Sequence, residues 1–209
     1  MSALLELLGV HTHIARYHIL HGVDLAVGRG ELTVLLGRNG AGKTTTLRTV
    51  MGLWQASQGS VRFDGADITR QATPSIAASG IAYVPENMGI FSDLTVAENM
   101  TLAARAARHA GEIDTRRLEW IFELFPALKQ FWSARAGVLS GGQKQMLAVA
   151  RAIVEPRKLL LIDEPTKGLA PAIIGHMIDA FKELKASGAP SSWSSRTSIS
   201  RVPWAMRWR

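Results

Sequence analysis

Short apolar runs alternate along the chain with stretches of helical periodicity, and glycine or proline marks most of the boundaries. Leu4 to Val10 and Gly22 to Val27 read as short strands beside a Gly28-Arg29-Gly30 turn. Leu32-Thr-Val-Leu-Leu36 is an apolar, β-branched run of the kind found in a strand covered on both faces. Thr44 to Leu53 has helical character, Ser60 to Gly65 alternates like an exposed strand, and Ile81-Ala-Tyr-Val84 is a strand ended by Pro85. From Thr95 to about Phe125 the chain is rich in Ala, Leu and Arg without turn signals, which predicts about two helices. Gly142 to Val154 reads as a helix, Lys158 to Ile162 as a buried strand, and Ala172 to Ala186 as an amphipathic helix. Strands and helices in this alternation predict an α/β fold with a mainly parallel sheet. The long helical stretch predicts a lobe over 87–155, inserted between core segments 1–86 and 156–188, with 189–209 as an atypical tail.

Composition narrows the classes. The 209 residues are 47% hydrophobic and 20% charged, which excludes a wholly disordered or collagen-like chain. No apolar run approaches the roughly 18 residues needed to cross a bilayer. The opening Met-Ser-Ala-Leu-Leu-Glu lacks a basic start and a long apolar core, so a cytoplasmic location is expected. With no cysteine, a disulfide scaffold and Cys-ligated zinc or iron–sulfur sites are excluded. Arg196, Arg201, Arg207 and Arg209 supply four of the seven net positive charges, and Trp193, Trp204 and Trp208 half of the tryptophans. The body of the chain is therefore only mildly basic, and a nucleic-acid partner is not expected.

The candidate chemistry begins after the buried 32–36 run. Gly37-Arg-Asn-Gly-Ala-Gly-Lys43-Thr44 fits G-x-x-x-x-G-K-[ST], a pattern that chance places in roughly one window per 30,000. Glycines let successive backbone N–H groups converge on phosphate oxygens, and the following helix adds its positive end. Gly37, Asn39, Gly40, Gly42, Lys43, Thr44 and Thr45 are thus candidate nucleotide-binding residues, with Lys43 directed to the terminal phosphates of ATP and Thr44 to Mg²⁺. The apolar run Leu159–Ile162 ends in Asp163-Glu164, placing two carboxylates at the C-terminal edge of a sheet, where open α/β sheets bind ligands. Asp163 is the second candidate for Mg²⁺, and Glu164 the candidate general base. In Leu139-Ser-Gly-Gly-Gln143, Ser140 stands at an N-cap position and Gly141 and Gly142 leave amides bare at a helix start. This is a second anion site, reading most simply as one that serves the nucleotide of another subunit.

These three elements, in this order, strongly resemble the ATPase subunits of ABC transporters, over about Leu4 to Ala186. The resemblance identifies Walker A at Gly37–Thr45, the ABC signature at Leu139–Gln143 and Walker B at Leu159–Glu164. It implies a P-loop (RecA-like) core with an inserted helical subdomain, a dimer in which each ATP lies between one P-loop and the opposite signature, and membrane permease subunits as partners. Ile81-Ala-Tyr-Val-Pro-Glu-Asn87, Ile90-Phe91, Leu94-Thr-Val-Ala-Glu-Asn99 and Lys167-Gly-Leu-Ala-Pro171 resemble the subunits of branched-chain amino-acid importers. By the same resemblance Glu86 replaces the usual Gln of the loop that senses the γ-phosphate, with a catalytic and metal-binding role, and Tyr17 is the candidate for stacking on adenine. The chain is then expected to be an ATPase on the cytoplasmic face of the membrane. A non-hydrolysing ABC module, or a soluble ABC ATPase acting on nucleic acid, is the alternative.

The resemblance also implies a buried strand after the last helix, and here the chain departs from it. Gly188-Ala-Pro-Ser-Ser-Trp-Ser-Ser-Arg196 cannot form one, so the C-terminal strands are expected to be missing or altered. Two explanations stand: a variable tail, or a reading-frame shift near Ala189. After one lost base, the codons for Pro190 to Arg196 can be reread as Thr-Ile-Leu-Leu-Val-Glu-Gln, the strand and loop the subgroup should have.

Overall fold

The fold opens on a long hairpin: β1 (Leu5–Ile14) and β2 (Tyr17–Val27) pair antiparallel from Leu5↔Val27 to Ile14↔Tyr17. The computed structural model describes residues 3–29, 32–106 and 113–164, together with the backbone of Trp204–Met206. The hairpin extends beyond the apolar ends visible in the sequence, into an outer half where histidines interrupt the apolar pattern, with His11 opposite His21 and His13 opposite His18. β4 (Ala56–Phe63) pairs with the other edge of β1, and β5 (Ala66–Asp67) completes an antiparallel sheet of order β2-β1-β4-β5. Gly59, at φ +80°, crosses β1 so closely that a Cβ there would overlap the Gly9 carbonyl. Only glycine fits.

A second, wholly parallel sheet holds β3 (Leu32–Val34), β6 (Ile81–Val84), β7 (Leu159–Ile162) and β8 (Trp204–Met206), in the order β3-β8-β7-β6. This is the expected parallel sheet; the antiparallel sheet beside it was not read from the sequence. The expected loss of an interior strand is answered in part by β8, which takes a position between β3 and β7. Residues 165–203, which include the anticipated 172–186 helix, the Lys167–Pro171 motif and the Pro190–Arg196 stretch, lie outside the described residues.

β6 and β7 divide their side chains between two cores. Ile81, Leu159 and Leu161 join Leu5, Leu7, Val61 and Phe63 of the antiparallel sheet, with Leu47 and Val50 of α1 (Lys43–Val50). Ala82, Val84, Leu160 and Ile162 face the helical layer instead. All four β7 residues are buried, as a strand covered on both faces requires. The helical layer comprises α3 (Val96–Ala106), α4 (Thr115–Leu124), α5 (Pro126–Gln130) and α6 (Gly141–Ile153); a short α2 (Thr73–Ala78) lies between β5 and β6.

Local chemistry sets the helix starts. Thr95 and Glu98 satisfy each other's backbone amides ahead of α3, and the Asp114 carboxylate accepts from the Arg117 N–H at 2.8 Å to cap α4. Arg117 then donates its Nε to the Ile153 carbonyl at 2.8 Å, tying α4 to the end of α6. Burial pushes the Arg117 guanidinium down to about 10, so it remains charged at neutral pH. Asp64 accepts from Arg29 and, at 2.7 Å, from Lys158, joining the ends of β2, β4 and the lead into β7.

Leu161 is fully buried and Leu8 is 50% exposed, so truncation should separate them. Leu161→Ala is expected to cost about 3 kcal/mol in chemical unfolding, and Leu8→Ala no more than about 0.5 kcal/mol. The hydrogen bonds from Lys158 and Arg29 hold the Asp64 carboxyl below 3.8. Its contribution is therefore present above pH 3.8 and lost as the pH falls through the lower folded value. The stability gap between wild type and Asp64→Asn, at most about 1 kcal/mol near neutrality, should hold steady in urea melts down to about pH 4 and narrow as the pH falls further.

Candidate functional site

The phosphate-loop segment 37–42 connects β3 to α1 and is exposed to solvent up to Ala41, while Gly42 and Lys43 are buried. Gly40 and Gly42 have φ near +83° and +84°, backbone that a residue with a side chain adopts only under strain. At Gly42, which caps α1, a Cβ would come within 2.7 Å of the Leu20 side chain, so β2 supports the loop from beneath. At Gly37 a Cβ would crowd Ala41 and approach the Lys43 ammonium at 3.7 Å. The Lys43 Nζ folds back over the loop and donates to the carbonyls of Gly37 and Arg38. The residues thus form a bare-backbone cradle with a buried cation at its rim, which fits a chain of phosphates.

β6 and β7 run parallel and in register to Val84↔Ile162, and the Asp163 N–H donates to the Val84 carbonyl at 2.9 Å. Pro85-Glu86 and Asp163-Glu164 therefore leave the sheet at one edge. Asp163 is fully buried, and its Oδ1 accepts from Thr44 Oγ1 at 3.1 Å across 119 residues of sequence. Two of the three expected Mg²⁺ ligands, Thr44 and Asp163, meet directly. A hydroxyl and a carboxylate are hard oxygen donors, the type a magnesium ion takes. Glu164 is also buried and holds a left-handed backbone, φ +49°, a strained conformation of the kind concentrated at working sites. Thr45 is buried on the first turn of α1; Asn39 is exposed on the loop.

The helix start at Ser140 forms as its sequence predicts. Ser140 caps α6: its hydroxyl accepts from the Gln143 N–H at 3.3 Å, and the Gln143 side-chain carbonyl accepts from the Ser140 N–H at 2.8 Å. The helix starts at Gly141, exposed, with Gly142 buried behind it. α1 and α6 pack on opposite faces of the parallel sheet, so the signature belongs to a different layer from the P-loop's own helix. Tyr17, the candidate adenine platform, is 59% exposed at the start of β2, with the Arg16 guanidinium 5.3 Å from its ring centroid.

Tyr83 was not singled out from the sequence as a site residue. Its phenol lies beside Arg48 of α1 and Asp163; burial pushes it above its usual 10, with Arg48 opposing and Asp163 reinforcing the shift. Period-two alternation along β6 was its one available signal, since it places residue 83 with Ile81 on the α1 face. Beside it opens a cavity of about 710 Å³ between α1, β6 and α6, lined by Leu53, Tyr83, Met88, Arg48, Arg151 and Arg157 among others. No helix among the described residues is long and apolar enough to cross a membrane.

Comparison with known proteins agrees with this geometry. Residues 20–167 match the ABC transporter family. The chain is 41% identical, over 86% of its length and 76% of the relative's, to the high-affinity branched-chain amino acid transport ATP-binding protein BraG of Pseudomonas aeruginosa. It is 36% identical, over 80% of its length and 70% of the relative's, to a probable branched-chain amino acid transport ATP-binding protein, LivF, of Archaeoglobus fulgidus. Among solved structures, the ATP-binding subunit of an ABC transporter superposes with a TM-score of 0.79 at 28% identity, covering 98% of this chain and 79% of that one. A nucleotide-free ATP-binding cassette of an ABC transporter, at 23% identity and a TM-score of 0.77, covers 100% and 82% and shares the fold. A P-loop cradle, a paired carboxylate edge, a capped signature helix and these likenesses together make the chain a member of the ABC-transporter ATP-binding family.

Proposed function

We propose that the chain hydrolyses ATP to energise the import of branched-chain amino acids. The observation that carries this reading is the meeting of Thr44 with Asp163 beside the Lys43 cradle, at the edge where Glu86 and Glu164 also emerge. The amides of Gly37, Asn39, Gly40, Gly42, Thr44 and Thr45 take the phosphate oxygens, and Lys43 exchanges its carbonyl partners for the β- and γ-phosphates. Thr44, Asp163 and Glu86 hold Mg²⁺. A bound magnesium ion supplies Lewis acidity toward the terminal phosphates. Glu164 draws a proton from water at the γ-phosphate, and Tyr17 stacks on adenine. Ser140 retains its O–H as a donor while its lone pair caps α6; with Gly141, Gly142 and Gln143 it completes the site of a second ATP-binding subunit.

Substrate identity is proposed from the named transport roles of the relatives rather than from any residue in the site. The membrane partner is inferred from the cavity beside β6. Its walls join the loop carrying Glu86 to α1 and α6, so a permease segment seated there would bear on both the phosphate edge and the helical layer. Seated in this way, the chain works at the cytoplasmic face of the membrane.

Glu164→Gln should lower ATP turnover by about 100-fold or more while ATP affinity stays within about threefold, read by phosphate release beside equilibrium binding. Undiminished turnover would remove Glu164 from its role. Lys43→Ala should weaken ATP by about tenfold or more, and an unchanged isotherm would refute the cradle. Leu53→Asp, at the exposed rim of the cavity, should leave the isolated subunit's ATPase within about twofold of wild type but abolish its stimulation by reconstituted permease. Full stimulation would place the partner elsewhere.

A further inference from the structure

The outer half of the β1–β2 hairpin has a composition that neither phosphate chemistry nor core packing requires. Four of the six histidines lie within eleven residues, at His11 and His13 on β1 and His18 and His21 on β2. Their rings gather on His18: His13 stacks on it at 4.2 Å and 6°, His11 stacks at 5.1 Å and 26°, and His21 lies 3.9 Å away, tilted by 44°. His11 Nδ1 and His18 Nε2 are 3.0 Å apart, a hydrogen bond that needs one nitrogen without a proton. His13 Nδ1 lies 3.1 Å from Ser57 Oγ, which donates to the His11 carbonyl, so the stack is also fastened to β4.

We propose that this histidine stack is a proton-sensitive brace, and that protonating it loosens the hairpin and weakens nucleotide binding. The stack tolerates neutral imidazoles in contact, whereas two or more imidazolium rings at 4–5 Å repel, and a doubly protonated His11–His18 pair loses its bond. Partial burial, and then the charges of His21, His13 and His11, hold His18 below the usual 6.5, with a backbone bond at Leu20 opposing. A depressed folded value means that the brace contributes above pH 6.5 and is lost as the pH falls below it.

Among the described residues, the charges acting on His18 are those of the other three histidines, and the carboxylate on the same hairpin, Asp24, accepts from the Gly9 N–H at 2.7 Å. β4 presents Ser57 and Gln58, both neutral; α1 presents Thr49, bonded to Thr12 on the other side of β1; the turn adds Arg16, another cation, and Tyr17. Loosening reaches the nucleotide by two routes. Tyr17 is adjacent to His18 in the chain, and Ile19 and Leu20 pack beneath Gly42 of the phosphate loop.

The proposal rests on nucleotide binding by this chain and is tested on the full chain. Affinity for a fluorescent ADP analogue is measured at pH 7.5 and pH 5.5, in 0.3 M salt to screen any attraction of added cations for phosphate. Wild type should lose about threefold in affinity over this interval, short of the roughly tenfold ceiling that one linked proton with a midpoint of 6.5 would set, and His18→Gln less than about 1.5-fold. Should His18→Gln not fold, His13→Gln, which removes one face of the stack, should show a profile flatter than wild type. Equal losses in wild type and variant, or a His18 ring whose NMR titration midpoint is at or above 6.5, would overturn the switch while leaving nucleotide binding intact. Absence of binding at pH 7.5 would overturn both.

Discussion

The contact between Thr44 and Asp163 is the constraint on which the remaining architecture depends. β3 and β7 are separated by β8, which puts the two strand ends roughly 10 Å apart. To bring a hydroxyl on the first turn of α1 against a carboxylate at the end of β7, the glycine loop must leave β3 and turn the helix across the sheet edge. That path demands left-handed backbone at Gly40 and Gly42 and a Cβ-free approach over Leu20. The same edge carries Glu86 because β6 and β7 end in step. Strand order, loop composition and hydroxyl position are therefore parts of one geometric requirement.

The two cores divide what must be rigid between two tasks. Leu159 and Leu161 lock β7 to the antiparallel sheet and α1, fixing the cradle, while Leu160 and Ile162 lock the same strand to the helical layer that presents Ser140. One four-residue strand thus mechanically joins the edge carrying Asp163 and Glu164 to the layer carrying the Ser140-capped helix. A displacement of the helical layer reaches Asp163 and Glu164 through β7 without crossing any loop. Arg117, bonded to the end of α6, stiffens that layer at its far side.

Much of this was legible in the sequence, and the reasons for the rest are physical. The phosphate loop, the carboxylate pair and the Ser140 cap were readable because each depends on local chemistry: bare amides, a strand end, a helix start. β7 was readable because burial on both faces leaves an uninterrupted apolar run. The outer half of the hairpin was not, since His11, His13, His18 and His21 hide its alternation; their pairing only appears once the strands are in register. α2 was missed because six residues are too few to show a helical period. Tyr83 was missed as a site residue because its neighbours, Arg48 and Asp163, are remote in sequence. β8 was unexpected because Trp204–Met206 enters a position in the sheet that the resemblance assigned to an earlier stretch of chain.

The central claim is that backbone amides of the 37–44 loop and the Lys43 ammonium recognise phosphates, with the purine contributing less. Equilibrium binding of ATP, ADP and AMP to the same folded preparation, with magnesium present, tests it most directly. ATP and ADP should bind saturably and AMP at least about 100-fold more weakly, a difference of about 2.8 kcal/mol. AMP binding as tightly as ATP would contradict the account, because the glycine cradle would then contribute nothing to recognition.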